Sequence, residues 1–100
     1  MEKDFVYYTL LFDIYGNLLT KKQQDYFKEY YFNNLSLTEI AENYQVSRNA
    51  IHHQLKQVIL KLENYENILH VALKNKKLES IIEEIQDKKL KEKLQNLIEM

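Results

Sequence analysis

The stretch from Ser36 to Leu62, SLTEIAENYQVSRNAIHHQLKQVILKL, decides the fold. It reads as a short helix, a tight turn and a longer helix. Ser36-Leu37-Thr38-Glu39 opens the first helix. A Ser hydroxyl there accepts a bond from a first-turn N–H, and a Glu three residues on reaches back to the Ser N–H. Ile40, Ala41 and Tyr44 then fall at i, i+1 and i+4 and define one narrow buried face. Gln45-Val46 supplies the turn. Ser47 is a second N-cap, and Ile51, Leu55, Val58 and Leu62 continue at helical spacing. Ala41 is small where two crossing helices approach closely. Together these features predict a helix-turn-helix, whose second helix enters a nucleic-acid major groove.

The rest of the chain is consistent with an all-α protein. Its 100 residues allow a single helical domain, 1–100, with a helix-turn-helix core over 4–73 and a C-terminal helical arm over 74–100. There is no Pro, and Gly16 is the only Gly, so nothing in the composition stops long helices. The absence of Cys removes disulfides and thiolate metal sites and is compatible with the cytoplasm. The opening MEKDFVYYTLLFDIYGN has acids before its apolar run and Asp13 inside it, so neither a signal peptide nor a membrane span is expected.

A net charge of −1 and a pI near 6.3 weigh against nucleic acid, because phosphate contacts need Lys and Arg. The distribution points the other way. From Asn43 to Leu62 there is no acid, while Arg48, Lys56 and Lys61 are basic. Short acid-free runs are common by chance, but this one coincides with the motif.

In chain order, a first helix is expected from about Asp4 to Tyr15, apolar on most of its circumference and ended by Gly16-Asn17 in the left-handed conformation. A second runs from Lys21 to Phe32 behind a Thr20/Gln23 capping box. Its Phe27, Tyr30 and Tyr31 read as core, with Tyr26 at the flank, rather than as a stacking platform for bases. The long helix is expected to run from Arg48 to Leu73, with a seam at 51, 55, 58, 62, 65, 69 and 73. Lys74, Lys76 and Lys77 mark an expected corner before Leu78, Ile81, Ile82 and Ile85. Asp87 caps a last helix carrying Leu90, Leu94, Leu97 and Ile98. The apolar stripes need cover, by folding back or by pairing between subunits, so a homodimer is expected. Glu79, Glu83, Glu84, Asp87 and Glu92 disfavour attachment to anionic lipid.

Catalysis is not expected. There is no Cys nucleophile, phosphate loop or HExxH pair. Adjacent His52 and His53 project about 100° apart on a helix and chelate one metal poorly. Glu66 and His70 lie one turn apart and read as a surface hydrogen bond rather than a metal site. No cofactor or small-molecule substrate is therefore expected. The nucleic-acid reading gives definite roles. Ser36 and Ser47 cap helix N-termini that suit phosphate, and Thr38 adds a hydroxyl. With Ile51 and Leu55 inward, Arg48, Asn49, His52, His53 and Lys56 face out. Arg pairs with guanine and Asn with adenine, while Lys56 meets the backbone. The rival reading is a helix pair that serves only packing or protein contacts.

Leu19-Thr20-x-x-Gln23, Tyr30-Tyr31, Ser36-Leu37-x-Glu39-Ile40-Ala41, Val46-Ser47-Arg48-x-Ala50-Ile51 and Leu62-Glu63-x-Tyr65-Glu66 resemble region four of bacterial sigma factors. More closely, they resemble the YlxM-type family of small bacterial helix-turn-helix proteins. The resemblance spans roughly Asp4 to Leu73, and it departs at Gln45, where many such motifs carry Gly. It implies a bacterial, cytoplasmic, DNA-binding protein of transcription regulation. It also implies a link to the signal recognition particle pathway, whose genes neighbour those of the family. A non-catalytic adaptor of a protein or RNA component of that particle is the alternative it implies.

Overall fold

The computed structural model describes residues 4–100. Among them are six α-helices and no strand: α1 (Phe5–Tyr15), α2 (Lys21–Phe27), α3 (Leu37–Tyr44), α4 (Arg48–Leu69), α5 (Val71–Glu83) and α6 (Lys88–Glu99). The chain divides into two compact units, one ending at Leu69 and the other running from His70 to Met100.

In the first unit the helix starts follow local chemistry. Thr20 Oγ1 accepts from the Gln23 N–H at 3.2 Å, and the Thr20 N–H donates to Gln23 Oε1 at 3.2 Å. The same Oε1 accepts from Lys61 Nζ at 3.2 Å, which ties the start of α2 to α4. Ser36 and Glu39 form the second reciprocal box, and Ser47 Oγ accepts from the Ala50 N–H at 3.0 Å. The core beneath is Tyr26 of α2, Ile40 and Ala41 of α3, and Ile51 and Leu55 of α4. Tyr30, Leu35, Leu37 and Tyr44 pack against it from the margin, so Tyr26 is core and Tyr30 flank, the reverse of the expectation, and the Tyr44 ring meets Tyr26 edge-on at 4.9 Å.

Three further expectations are corrected. Gly16 is not left-handed: its φ is −54°, and it opens a short 3-10 turn, Gly16–Leu18. Its lack of a side chain matters for closeness, since a Cβ there would lie 3.2 Å from the Phe12 ring. The helix after Phe27 is not regular. It widens into a π turn over Lys28–Phe32, with the Asn33 N–H bonded to the Lys28 carbonyl at 2.9 Å. The wider turn lets Tyr31 stack on Phe27 at 4.3 Å while Phe32 meets Phe12 and Phe27 edge-on at 5.8 and 5.9 Å. Phe12 stacks on Phe27 at 4.3 Å, so one ring cluster joins α1 to α2.

The third correction concerns α4, which ends at Leu69 and not Leu73. His70 takes a left-handed conformation, φ 56°, and its carbonyl accepts the first bond of α5, from the Lys74 N–H at 2.9 Å. Lys74, Lys76 and Lys77 therefore lie inside a helix rather than at a corner. In the second unit, Asp87 caps α6 as expected, its Oδ1 accepting from the N–H groups of Lys89 and Leu90.

Gln45 ends α3 at φ 56°, in the left-handed region where glycine is at ease. That conformation costs an L-residue roughly 1–2 kcal/mol, partly offset by the backbone freedom a glycine loses on folding. Gln45→Gly is expected to raise stability by about 0.5–1 kcal/mol, read as a higher urea midpoint at unchanged slope.

Candidate nucleic-acid interface

The candidate surface is the N-terminal half of α4 with the start of α3. Ile51 and Leu55 have no exposure and anchor α4 from below. That anchoring leaves Arg48, Asn49, His52, His53 and Lys56 all exposed, as Ser36, Thr38 and Ser47 are. At about 100° per residue, Asn49, His53 and Lys56 occupy the middle of the solvent face. Arg48 and His52 lie toward one edge. Arg48 lines a groove there with Ser36, Glu39, Asn34, Tyr30 and Phe5. The structure thus gathers Arg48 and Ser36 about one groove, while Thr38, in the same turn of α3 as Ser36, does not line it.

The two helix N-termini differ electrostatically. The first turn of α4 carries no acid. At α3, Glu39 Oε1 accepts from the Ser36 N–H at 3.0 Å, and the Glu39 N–H donates to Ser36 Oγ at 3.1 Å. Those bonds, the backbone one foremost, hold the Glu39 carboxyl below its ordinary value of 4.5. A phosphate approaching α3 would therefore meet a carboxylate already in place, and the start of α4 is the better anion site. The depressed value also means that capping stabilises α3 fully above pH 4.5 and is lost as pH falls through the lower folded value. An NMR titration is expected to place the Glu39 midpoint below 4.5; a midpoint at or above it would mean the box is open in solution.

Two features were not legible beforehand. Lys61, counted with the basic residues of the helix, is half-buried and donates to Gln23, so it belongs to the scaffold. A second groove runs along the opposite edge of α4, where Ala50 and Gln54 face Thr20, Lys22 and Tyr26 of the α2 region and Val46 of the turn. Only the acid-free run around Gln54 hinted at it. Among the described residues no three His, Asp or Glu side chains are placed to hold a metal, and no helix is long and apolar enough to cross a membrane.

The paired helices, the tight left-handed turn and the exposed start of α4 define a helix-turn-helix protein. The chain belongs to the family described as "Putative helix-turn-helix protein, YlxM / p13 like", whose model matches residues 1–100. It is similar to the UPF0122 protein of Malacoplasma penetrans, 44% identical over 93 residues, covering 93% of this chain and 87% of the relative. The UPF0122 protein of Caldanaerobacter subterraneus subsp. tengcongensis is 42% identical over 87 residues, 87% of this chain and 74% of its own length. That of Mycoplasma pneumoniae is 43% identical over 84 residues, 84% and 82% of the two chains.

Proposed function

We propose that the protein is a regulator that binds duplex DNA, with the N-terminal half of α4 in the major groove. The observation that carries this reading is one exposed, acid-free, capped surface, Arg48 to Lys56, fixed from below by Ile51 and Leu55. Arg48 and Asn49 read base edges, His52 and His53 add donors or acceptors beside them, and Lys56 meets the backbone. Ser47 at the acid-free start of α4 lies against phosphate, and Ser36 and Thr38, beside the Glu39 carboxylate, add hydroxyls at its margin. Two copies would present two reading helices to paired half-sites. The apolar outer face of α1, with Val6 at 78% and Leu10 at 47% exposure, is available for pairing.

Arg48→Ala is expected to weaken binding to a cognate duplex by about 1–3 kcal/mol and relax its sequence preference. Lys56→Ala should weaken all duplexes alike and flatten the salt dependence. Absence of duplex binding by the wild type at low salt rejects the reading. Sedimentation at micromolar concentration should give a dimer; a monomer rejects the paired form. Sequencing nucleic acid cross-linked to the protein in cells separates the rivals. Genomic sites support regulation, whereas recovery of the signal recognition particle's RNA would replace it with the adaptor role.

A further inference from the structure

The groove on the far edge of α4 has a use in the complex just described, and the inference rests on that reading. An α-helix with its side chains is about 10–12 Å across, and the major groove is about 12 Å wide. A helix lying in it therefore has a phosphate strand along each edge. On one edge of α4 stand Arg48 and Ser36. On the other, Lys22 of α2 and Gln54 of α4 line one groove together with Thr20 and Ala50.

No carboxylate lines that second groove, whereas Glu39 lines the first. Lys21, the neighbouring lysine, is held by Asp25 at 3.0 Å, which offsets the nearest acid as well. Lys22 is exposed, and among the described residues no carboxylate pairs with it. The Thr20 N–H and the Gln23 N–H at that helix start are both spent on the capping box. Of the side chains lining the groove, Lys22 carries the positive charge. The short α2 is in turn fastened to α4 by the Lys61–Gln23 bond, so Lys22 is carried at a fixed place beside the reading helix.

We infer that Lys22 and Gln54 form a second phosphate-binding edge, the ammonium meeting a backbone phosphate of one strand and the Gln54 amide N–H donating beside it, opposite the strand held at Arg48. The test is anisotropy of full-length protein on a random-sequence duplex across a salt series. Lys22→Gln should lower the slope of log K against log salt by about 0.9 and weaken binding about fivefold to tenfold near 0.1 M salt. Gln54→Glu, which sets a carboxylate in the groove, should weaken it at least as much. Lys28→Gln, the same charge change beyond the other end of α2, should leave the slope at the wild-type value. Wild-type slopes in both groove variants overturn this inference while leaving DNA binding standing, as does an equal drop in Lys28→Gln. Failure of the wild type to bind overturns the function itself, and this edge with it.

Discussion

Leu55→Ala is expected to lower the stability of the first unit by about 2–5 kcal/mol. Leu55 has no exposure and belongs to the cluster shared by Tyr26, Ile40, Ala41 and Ile51. It lies where α2, α3 and α4 converge, and each of those helices is held by a different backbone segment. The cavity left by truncation therefore closes poorly, and the loss exceeds simple transfer of the missing methyls from water. Domains of this size are stable by about 5–15 kcal/mol in all, so one substitution removes a large share. Leu60→Ala on the same helix is the comparison. Leu60 is 59% exposed, and its truncation should change stability by no more than about 0.5 kcal/mol. Urea denaturation followed by circular dichroism reads both. Equal midpoints for the two variants would mean that α4 is not seated on the core described.

The second large effect belongs to a polar pair. Tyr15 Oη donates to Glu66 Oε1 at 2.6 Å, joining α1 to α4, with both residues below 10% exposure. The bond is short for an O–H···O contact and is made away from solvent. Tyr15→Phe keeps the ring, and with it the contact to Tyr65 at 5.9 Å, but withdraws the donor from a buried carboxylate. The expected cost is about 1–3 kcal/mol. Combining it with Glu66→Met removes the acceptor as well, so the losses of the two single variants should be less than additive in the double variant. A double variant as unstable as the sum of the single ones would show that the two side chains do not act as a pair.

What could be read from the residues alone follows from the range of the forces. The caps at Thr20, Ser36, Ser47 and Asp87 are formed within three residues of chain, and all four stand where their neighbours place them. The inward stripe Ile51, Leu55, Val58 and Leu62 follows from period alone. The failures lie where a distant partner decides. Gly16 reads as a stop until the Phe12 ring is seen beside it, and the π turn answers to a ring stack with α1. Glu66 reads as a surface group paired with His70, yet it is buried and accepts from Tyr15. The end of α4 is the hardest case, because apolar spacing passes through His70 without interruption and no Pro or Gly marks the break. The exposed positions Arg48, Asn49, His52, His53 and Lys56 were legible from helical spacing. Lys22 was not, because its groove joins positions more than thirty residues apart.

The length of α4 sets a mechanical scale. Its 22 residues make a rod about 33 Å long, gripped along one side by Ile51, Leu55, Val58 and Leu62. Glu66, buried and bonded to Tyr15 of α1, holds it again near the Leu69 end, so the rod is seated along most of its length and moves as one body. A tilt of about 5° around its middle would carry Arg48 through roughly 1.4 Å, taking the helix half-length as about 16 Å. That is enough to take a hydrogen bond made by its side chain from good geometry to none. A displacement at the Leu69 end of the rod is thus passed to the Arg48 end.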